Sequence, residues 1–210
     1  MRTWVKICGL TTVEAVAASV EAGADAVGFV LAPGSPRTLD APAARLLAAG
    51  VPSPVETVGV FRGQPVDEVV DLATRAGVRM VQLHGNETPA DVATVRSAGF
   101  RVIRAVGVDA YSAESEEARR GFAEDALLID AVAPGAGAAF DAAPLLAAPP
   151  HRDWILAGGL SPDTVADRIA ELRPAGVDVS SGVESSRGVK DVALIRAFVA
   201  AARAVSADGP

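Results

Sequence analysis

Short runs of Val, Ile, Leu and Phe recur roughly every 20 to 30 residues along this chain, and each is followed by a stretch whose apolar residues are spaced like one face of a helix. Eight runs meet the description, at residues 5–8, 26–31, 55–61, 80–84, 102–106, 127–130, 154–157 and 177–180. Near-continuous apolar character suits strands covered on both faces, as in parallel sheets. Eight βα units are the number that closes a (β/α)8 TIM barrel, an α/β fold whose interior is filled by side chains and whose chemistry sits in the loops after the strands. An open doubly wound sheet is the rival, but it usually has fewer strands, and no Gly-x-Gly-x-x-Gly turn follows the first run.

The intervening segments read as helices with defined ends. Val13, Val16, Ala17 and Val20 form one predicted apolar face, and Val165, Ile169 and Leu172 another. Gly23, Gly50, Gly77 and Gly99 are expected to end helices in a left-handed turn. Pro65, Pro89 and Pro162 are expected to open them, each with an acidic residue in the first turn. The sixth helix, over 141–148, is expected to be short or irregular, since it ends in Pro149-Pro150.

With 210 residues, half of them apolar, the chain can bury a substantial core as one domain over 1–205, with 206–210 a loose tail. A net charge of −7 speaks against nucleic-acid or anionic-membrane partners, while leaving room for a local basic pocket that takes a small anion. One cysteine excludes an internal disulfide framework, and the first residues lead into a strand rather than a secretory leader, which fits a cytoplasmic address. No apolar run is long enough to span a bilayer. The two histidines, His84 and His151, are not spaced with Cys8 as zinc ligands, so no metal is expected.

In such a barrel all eight strand ends share one face, so the polar residues there should form one constellation. They are Cys8 after the first strand, Ser35-Pro36-Arg37 after the second, Gln82 and His84 in the fourth, Asp130 in the sixth, and Asp178, Ser180 and Ser181 in the eighth. Cys8 reads either as an acid, base or nucleophile or as a small buried hydrophobe. An isolated Asp130 reads equally as a helix cap or salt-bridge partner. Gly158-Gly159 and Ser181-Gly182 leave backbone N–H groups uncovered where this fold commonly binds phosphate, although glycine pairs also occur wherever a strand turns tightly into a helix.

Several motifs then occur in one order across nearly the whole chain: KICGLT at 6–11, GFVL with SPR at 28–37, QLHG at 82–85, LLID at 127–130, LAGGL at 156–160, and GVDVSSGVE at 176–184 with Gly188 and Lys190-Asp191 beyond. Together they resemble the phosphoribosylanthranilate isomerases of tryptophan biosynthesis. The resemblance implies an Amadori rearrangement of N-(5'-phosphoribosyl)anthranilate to 1-(2-carboxyphenylamino)-1-deoxyribulose 5-phosphate. By resemblance, Asp130 is the acid that opens the ribose ring and Cys8 the base that removes the C2' proton. Arg37 faces the anthranilate carboxylate, and Asp178 holds a substrate hydroxyl or ring group.

Gln82 and His84 either orient the substrate or Cys8 or are satisfied strand ends, and Lys6 is a partner for Asp178 or another strand-end acid. The iminium intermediate is its own electron sink, so no cofactor is expected. The expected ligand is a phosphorylated small molecule, and the protein a monomer or homodimer. The chemistry requires Asp130 to be protonated when substrate binds, hence a raised pKa, and Cys8 to be at least partly thiolate.

The clearest departure follows the sixth strand. The family usually carries Gly-Gly-Ser/Thr-Gly and then Phe-Asp-Trp, whereas this chain has Pro134-Gly135-Ala136-Gly137 and then Phe140-Asp141-Ala142. The glycines keep a mobile loop over Asp130 plausible, but a hydroxyl contact is missing. Two alternatives remain open at this level: another phosphosugar isomerase on the same barrel, such as the aminoaldose isomerase of histidine biosynthesis, which is expected to carry an aspartate in place of Cys8, and a non-catalytic barrel that binds a phosphorylated metabolite.

Overall fold

The structure is a computed structural model that describes residues 2–131 and 142–207. Eight parallel strands, β1 (Trp4–Cys8), β2 (Ala26–Val30), β3 (Glu56–Phe61), β4 (Met80–Leu83), β5 (Arg101–Gly107), β6 (Ala126–Asp130), β7 (Trp154–Ala157) and β8 (Gly176–Val179), hydrogen-bond in sequence order and close into a barrel through the β1–β8 pair. Each expected strand is present, with its ends shifted by one residue at most.

Strand alternation divides the apolar residues into two cores. Cys8, Ala26, Val58, Val60, Met80, Ile103, Ala105, Leu128, Ile155 and Ala157 fill the barrel interior. The alternate residues, among them Val5, Ile7, Val27, Phe29, Val81, Leu127, Ile129, Leu156 and Val177, face the surrounding helices. Burial on both faces explains why these strands read as unbroken apolar runs.

The helices follow: α1 (Val13–Glu21), α2 (Ala41–Ala49), α3 (Val66–Ala76), α4 (Pro89–Ser97), α5 (Val108–Ala113), α6 (Glu116–Gly121), α7 (Ala143–Ala147), α8 (Val165–Leu172) and α9 (Val192–Ala207). Thr12, Asp40 and Thr88 cap α1, α2 and α4 by accepting the N–H of the third helical residue. α7 has five described residues and no side-chain cap, as a stunted sixth helix should. Asp141 lies outside the described residues, as do Pro134 to Gly137 and Phe140, so the expected loop over Asp130 does too. α9 runs through Ala207, two residues into the expected tail, and 208–210 lie outside the described residues.

Several local expectations are corrected. Of the expected Val13, Val16, Ala17, Val20 stripe, α1 buries Val16 and packs Val20 partly against the core, but it leaves Ala17 exposed and Val13 66 % exposed and buries Ala15, Ala18 and Ser19 instead. Small residues allow the helix to approach the sheet closely, and the Ser19 hydroxyl donates back to the Ala15 carbonyl at 2.7 Å, so its burial leaves no donor unmatched. Gly23, Gly77 and Gly99 do take positive φ, but Gly50 caps α2 at φ −83°, where any residue fits. Pro162 sits in a turn ahead of α8, whose first residue is Val165.

The fifth unit carries two short helices instead of one. Ser115 breaks the run by capping α6, and the excursion is tied to the barrel by Arg104, which ion-pairs with Glu114 and stacks 3.7 Å over the Phe122 ring. After β8 comes a 3-10 turn (Ser181–Val183) and a hairpin of β9 (Glu184–Ser186) and β10 (Val189–Lys190), which the strand pattern does not announce.

Candidate active site

A cavity of about 440 Å³ opens at the C-terminal ends of the strands, and every residue expected in the site lines it: Cys8, Arg37, Gln82, His84, Asp130, Gly158, Gly159, Asp178, Ser181 and Gly182. Barrel closure accounts for this, since in-register parallel strands bring their last residues to one rim. Cys8 and Asp130 therefore share one compartment although they stand far apart in the chain.

Cys8 is buried at the top of β1. Lys6, two residues earlier on the same inward face, is 0 % exposed, and its Nζ donates to Asp178 Oδ1 at 3.0 Å. Burial alone would pull the Lys6 ammonium below its ordinary pKa, but the charges of Asp178 and of Cys8 outweigh it and hold the pKa above that value. Burial pushes the Cys8 thiol up; Lys6 opposes this and Asp178 adds to it. The neighbouring strand leaves room for the sulfur because it carries Gly28, whose added Cβ would lie 3.0 Å from Cys8 Sγ. Of the two readings open for Lys6, the structure has the pair with Asp178.

Arg37 is committed on one edge. Its Nε and Nη2 donate to Glu184 Oε1 and Oε2 at 2.6 and 2.8 Å. Glu184 also accepts from Lys190 Nζ at 2.8 Å and from the Gly188 N–H at 3.0 Å. Burial by itself would raise the Glu184 carboxyl, but these donors bring it down to about 2. Lys190 is lowered by burial, only partly offset by Glu184, and its Nζ also donates to the Ser180 carbonyl at 2.8 Å. Gly9 makes the arrangement possible: it sits at φ +74°, and a Cβ there would stand 2.5 Å from Arg37 Cδ. Arg37 Nη1 makes no hydrogen bond among the described residues.

His84 Nε2 stands 3.8 Å from Asp130 Oδ2, too far for a hydrogen bond. Gln82 is 2 % exposed, and its Oε1 has no hydrogen-bond partner among the described residues. Gly158 and Gly159 take φ +91° and +64°, and the Gly159 N–H has no acceptor among the described residues. Gly182 packs so tightly on the loop after β7 that a Cβ would lie 1.8 Å from the Leu160 carbonyl oxygen.

Two residues escaped the sequence reading. Glu184 belongs to the GVDVSSGVE motif, but nothing local marks it as the anchor for Arg37 and Lys190. Arg62 follows β3, lines both this cavity and an adjoining cleft of about 1030 Å³, and its guanidinium has no anionic partner among the described residues. No group of three His, Cys, Asp or Glu among the described residues is placed to hold a metal ion, and no helix among them is long and apolar enough to cross a membrane.

Comparison with known proteins follows the same line. The family model for N-(5'-phosphoribosyl)anthranilate (PRA) isomerase matches residues 5–201. An N-(5'-phosphoribosyl)anthranilate isomerase of Chromohalobacter salexigens is 46 % identical over 204 residues, spanning 94 % of this chain and 93 % of its own. Among solved structures, TrpF from Jonesia denitrificans superposes with a TM-score of 0.86 at 46 % identity, over 97 % of this chain and 98 % of that one. A phosphoribosyl anthranilate isomerase in complex with reduced 1-(o-carboxyphenylamino)-1-deoxyribulose 5-phosphate does so with a TM-score of 0.79 at 35 % identity, over 96 % and 99 %.

Proposed function

The chain belongs to the N-(5'-phosphoribosyl)anthranilate isomerase family, and from that premise we propose how its residues divide the reaction. It is an isomerase of tryptophan biosynthesis that converts N-(5'-phosphoribosyl)anthranilate to 1-(2-carboxyphenylamino)-1-deoxyribulose 5-phosphate. The same premise supports a cytoplasmic enzyme.

Asp130, protonated when substrate binds, gives its proton to the ribose ring oxygen. The C1'–O bond breaks, the sugar oxygen becomes a hydroxyl, and C1' becomes an iminium conjugated with the aryl nitrogen. Cys8, as thiolate, takes the proton from C2', and the electron pair moves toward C1' to give an enolamine. The enol loses its O–H proton as C1' gains one, leaving the ketone. Each proton transfer is worth about 10²- to 10⁴-fold in rate. Because burial raises the Cys8 thiol, ionisation is helped by the positive iminium that forms beside it.

The remaining groups bind and orient. The uncovered N–H of Gly159 and the backbone of Ser181 and Gly182 suit a phosphate, as does the positive φ at Gly158, which exposes the loop. Gln82 Oε1 and Asp178 accept sugar hydroxyls, and His84 lies against Asp130. For the anthranilate carboxylate, Arg37 offers Nη1. Lys6, Arg37 and Lys190 are three cations held by two carboxylates, Asp178 and Glu184, which leaves one positive charge in excess beside Glu184; Arg62, at the rim of the same cavity, adds a second for the incoming carboxylate.

The observation that carries this reading is the shared cavity of Cys8 and Asp130. A steady-state assay with freshly made phosphoribosylanthranilate tests it: wild type turns over, while Cys8→Ser and Asp130→Asn fold normally and each lose at least about 100-fold in kcat/KM. Near-normal turnover in either variant would remove that residue from its role.

A further inference from the structure

The group directly below Cys8 in the barrel is a lysine that no water reaches. Lys6 and Cys8 are two residues apart on β1, so both side chains point into the barrel interior. Lys6 is 0 % exposed, and lysine is almost never fully buried unless paired. Its one described side-chain partner at hydrogen-bond distance is Asp178 Oδ1, at 3.0 Å from the facing strand β8. An ammonium has three donors, and one carboxylate oxygen uses one of them. On the other side stands Gly28 of β2. A Cβ built there would lie 3.0 Å from Cys8 Sγ and 3.2 Å from Lys6 Cε, so the sulfur and the lysine chain flank one point with no side chain between them.

We propose that Lys6 is the positioning residue for the general base: its buried ammonium is shared between Asp178 and Cys8 and makes a thiolate tolerable inside an apolar barrel. The proposal rests on the assignment of Cys8 as the base. Burial disfavours the thiolate strongly, and a charge of opposite sign a few ångströms away is what offsets such a penalty.

The other charged groups around the sulfur take a lesser part or an opposing one. Asp178, from β8, acts against ionisation. Lys190, from β10, also favours the thiolate, but less than Lys6 does, and both it and Arg37, from the loop after β2, are held by Glu184; Arg62, after β3, lines the same cavity from an exposed position. His84 and Asp130 face the same cavity from the ends of β4 and β6 and stand 3.8 Å from each other. Lys6 is therefore the cation whose removal should be felt most at Cys8, and Asp178 the anion that competes for it.

This sharing makes a prediction that a purely structural Lys6–Asp178 pair does not. If the pair only held the barrel together, breaking it from either end would loosen the same packing and shift Cys8 the same way. If Lys6 serves both anions, the two ends act oppositely. Lys6→Met leaves the sulfur facing Asp178 alone and raises the thiol pKa. Asp178→Asn leaves Lys6 to the sulfur alone and lowers it.

Because the chain has a single cysteine, the rate of alkylation by iodoacetamide as a function of pH reads Cys8 alone, on the intact protein and without substrate. The expected result is that Lys6→Met moves the titration midpoint up by at least about one pH unit, slowing alkylation below the midpoint about tenfold or more, and that Asp178→Asn moves it down. A midpoint in Lys6→Met that is unchanged or lower overturns the proposal. Should Lys6→Met fail to fold, Asp178→Asn decides: a lower midpoint supports the proposal, and an unchanged or higher one ends it. Failure of the isomerase reading is seen separately, as absence of wild-type turnover, and does not alter the alkylation profiles.

Discussion

Arg37, in the loop after β2, and Glu184, at the start of the β9–β10 hairpin, form a two-point ion pair across the mouth of the barrel, with Nε–Oε1 at 2.6 Å and Nη2–Oε2 at 2.8 Å. Parallel N–H donors on a planar guanidinium match the two carboxylate oxygens, so the pair fixes orientation as well as charge. It ties the second loop to the hairpin after the last strand, and it leaves the far edge of Arg37 turned to the cavity.

Replacing Glu184 by Gln should therefore destabilise the fold in a pH-dependent way. The folded-state carboxyl sits at about 2 against an ordinary 4.5. A depressed pKa contributes stability that is complete above about 4.5 and fades as pH falls toward 2; the contribution is on the order of 3 kcal/mol. Urea unfolding of wild type and Glu184→Gln should differ most at pH 7, differ by roughly half as much or less near pH 3, and converge as pH falls to 2 and below. A difference that stays constant with pH would show that the pair is not the source.

Arg62→Gln should weaken substrate binding without changing chemistry, since Arg62 is a cation at the cavity rim with no anionic partner among the described residues and has no part in the proton transfers. The expected outcome is a rise in KM of about tenfold with kcat within a few-fold of wild type. Repeating the comparison with N-phosphoribosylaniline, which lacks the carboxylate, should abolish the difference between the two proteins. An equal effect on both substrates would mean that Arg62 acts on something other than the carboxylate.

Gly182 and Gly50 are expected to respond to alanine in opposite senses. At Gly182 the new methyl would meet the Leu160 carbonyl at 1.8 Å, so the loops after β7 and β8 must separate. That should cost about 1–3 kcal/mol of stability and raise KM through loss of phosphate contacts. At Gly50 φ is −83° and the nearest atom is 3.6 Å away, so alanine costs no strain and should stabilise by about 0.4–1 kcal/mol through the unfolded chain. Thermal melts and Michaelis constants of the two variants check both statements.

Gln82→Leu separates stability from function. The buried Oε1 has no partner among the described residues, so an apolar side chain of similar size should leave the melting temperature unchanged or raised. If Oε1 accepts a sugar hydroxyl, kcat/KM should fall about tenfold or more, because the substrate's donor is then left unmatched. A stable, fully active variant would return Gln82 to a packing role.

The helical ends show how far local signals reach. Gly77 and Gly99 adopt positive φ, and Thr88 and Asp91 form a reciprocal cap, because each of these is settled within a few residues of backbone. Val13 lies off the buried face of α1 because that face is set by contacts with the rest of the barrel, and here it is built of the small residues Ala15, Ala18 and Ser19 with Val16, which a stripe of valines does not suggest. Gly50 and Pro162 were over-read, since each occupies a position that other residues could also fill.

What the chain alone determines is the list of strands and the residues at their ends. Two-sided burial writes each strand as an apolar run, and closure of eight such strands obliges Cys8, Gln82, Asp130 and Asp178 to meet at one rim. What the tertiary structure alone decides is which of those groups answer to which. That Lys6 faces Asp178 across the β1–β8 seam, that Glu184 holds both Arg37 and Lys190, and that Arg62 has no anionic partner among the described residues all follow from contacts between segments far apart in the chain. Charge pairing depends on distance in space and on exclusion of water, and neither quantity exists until the barrel has closed.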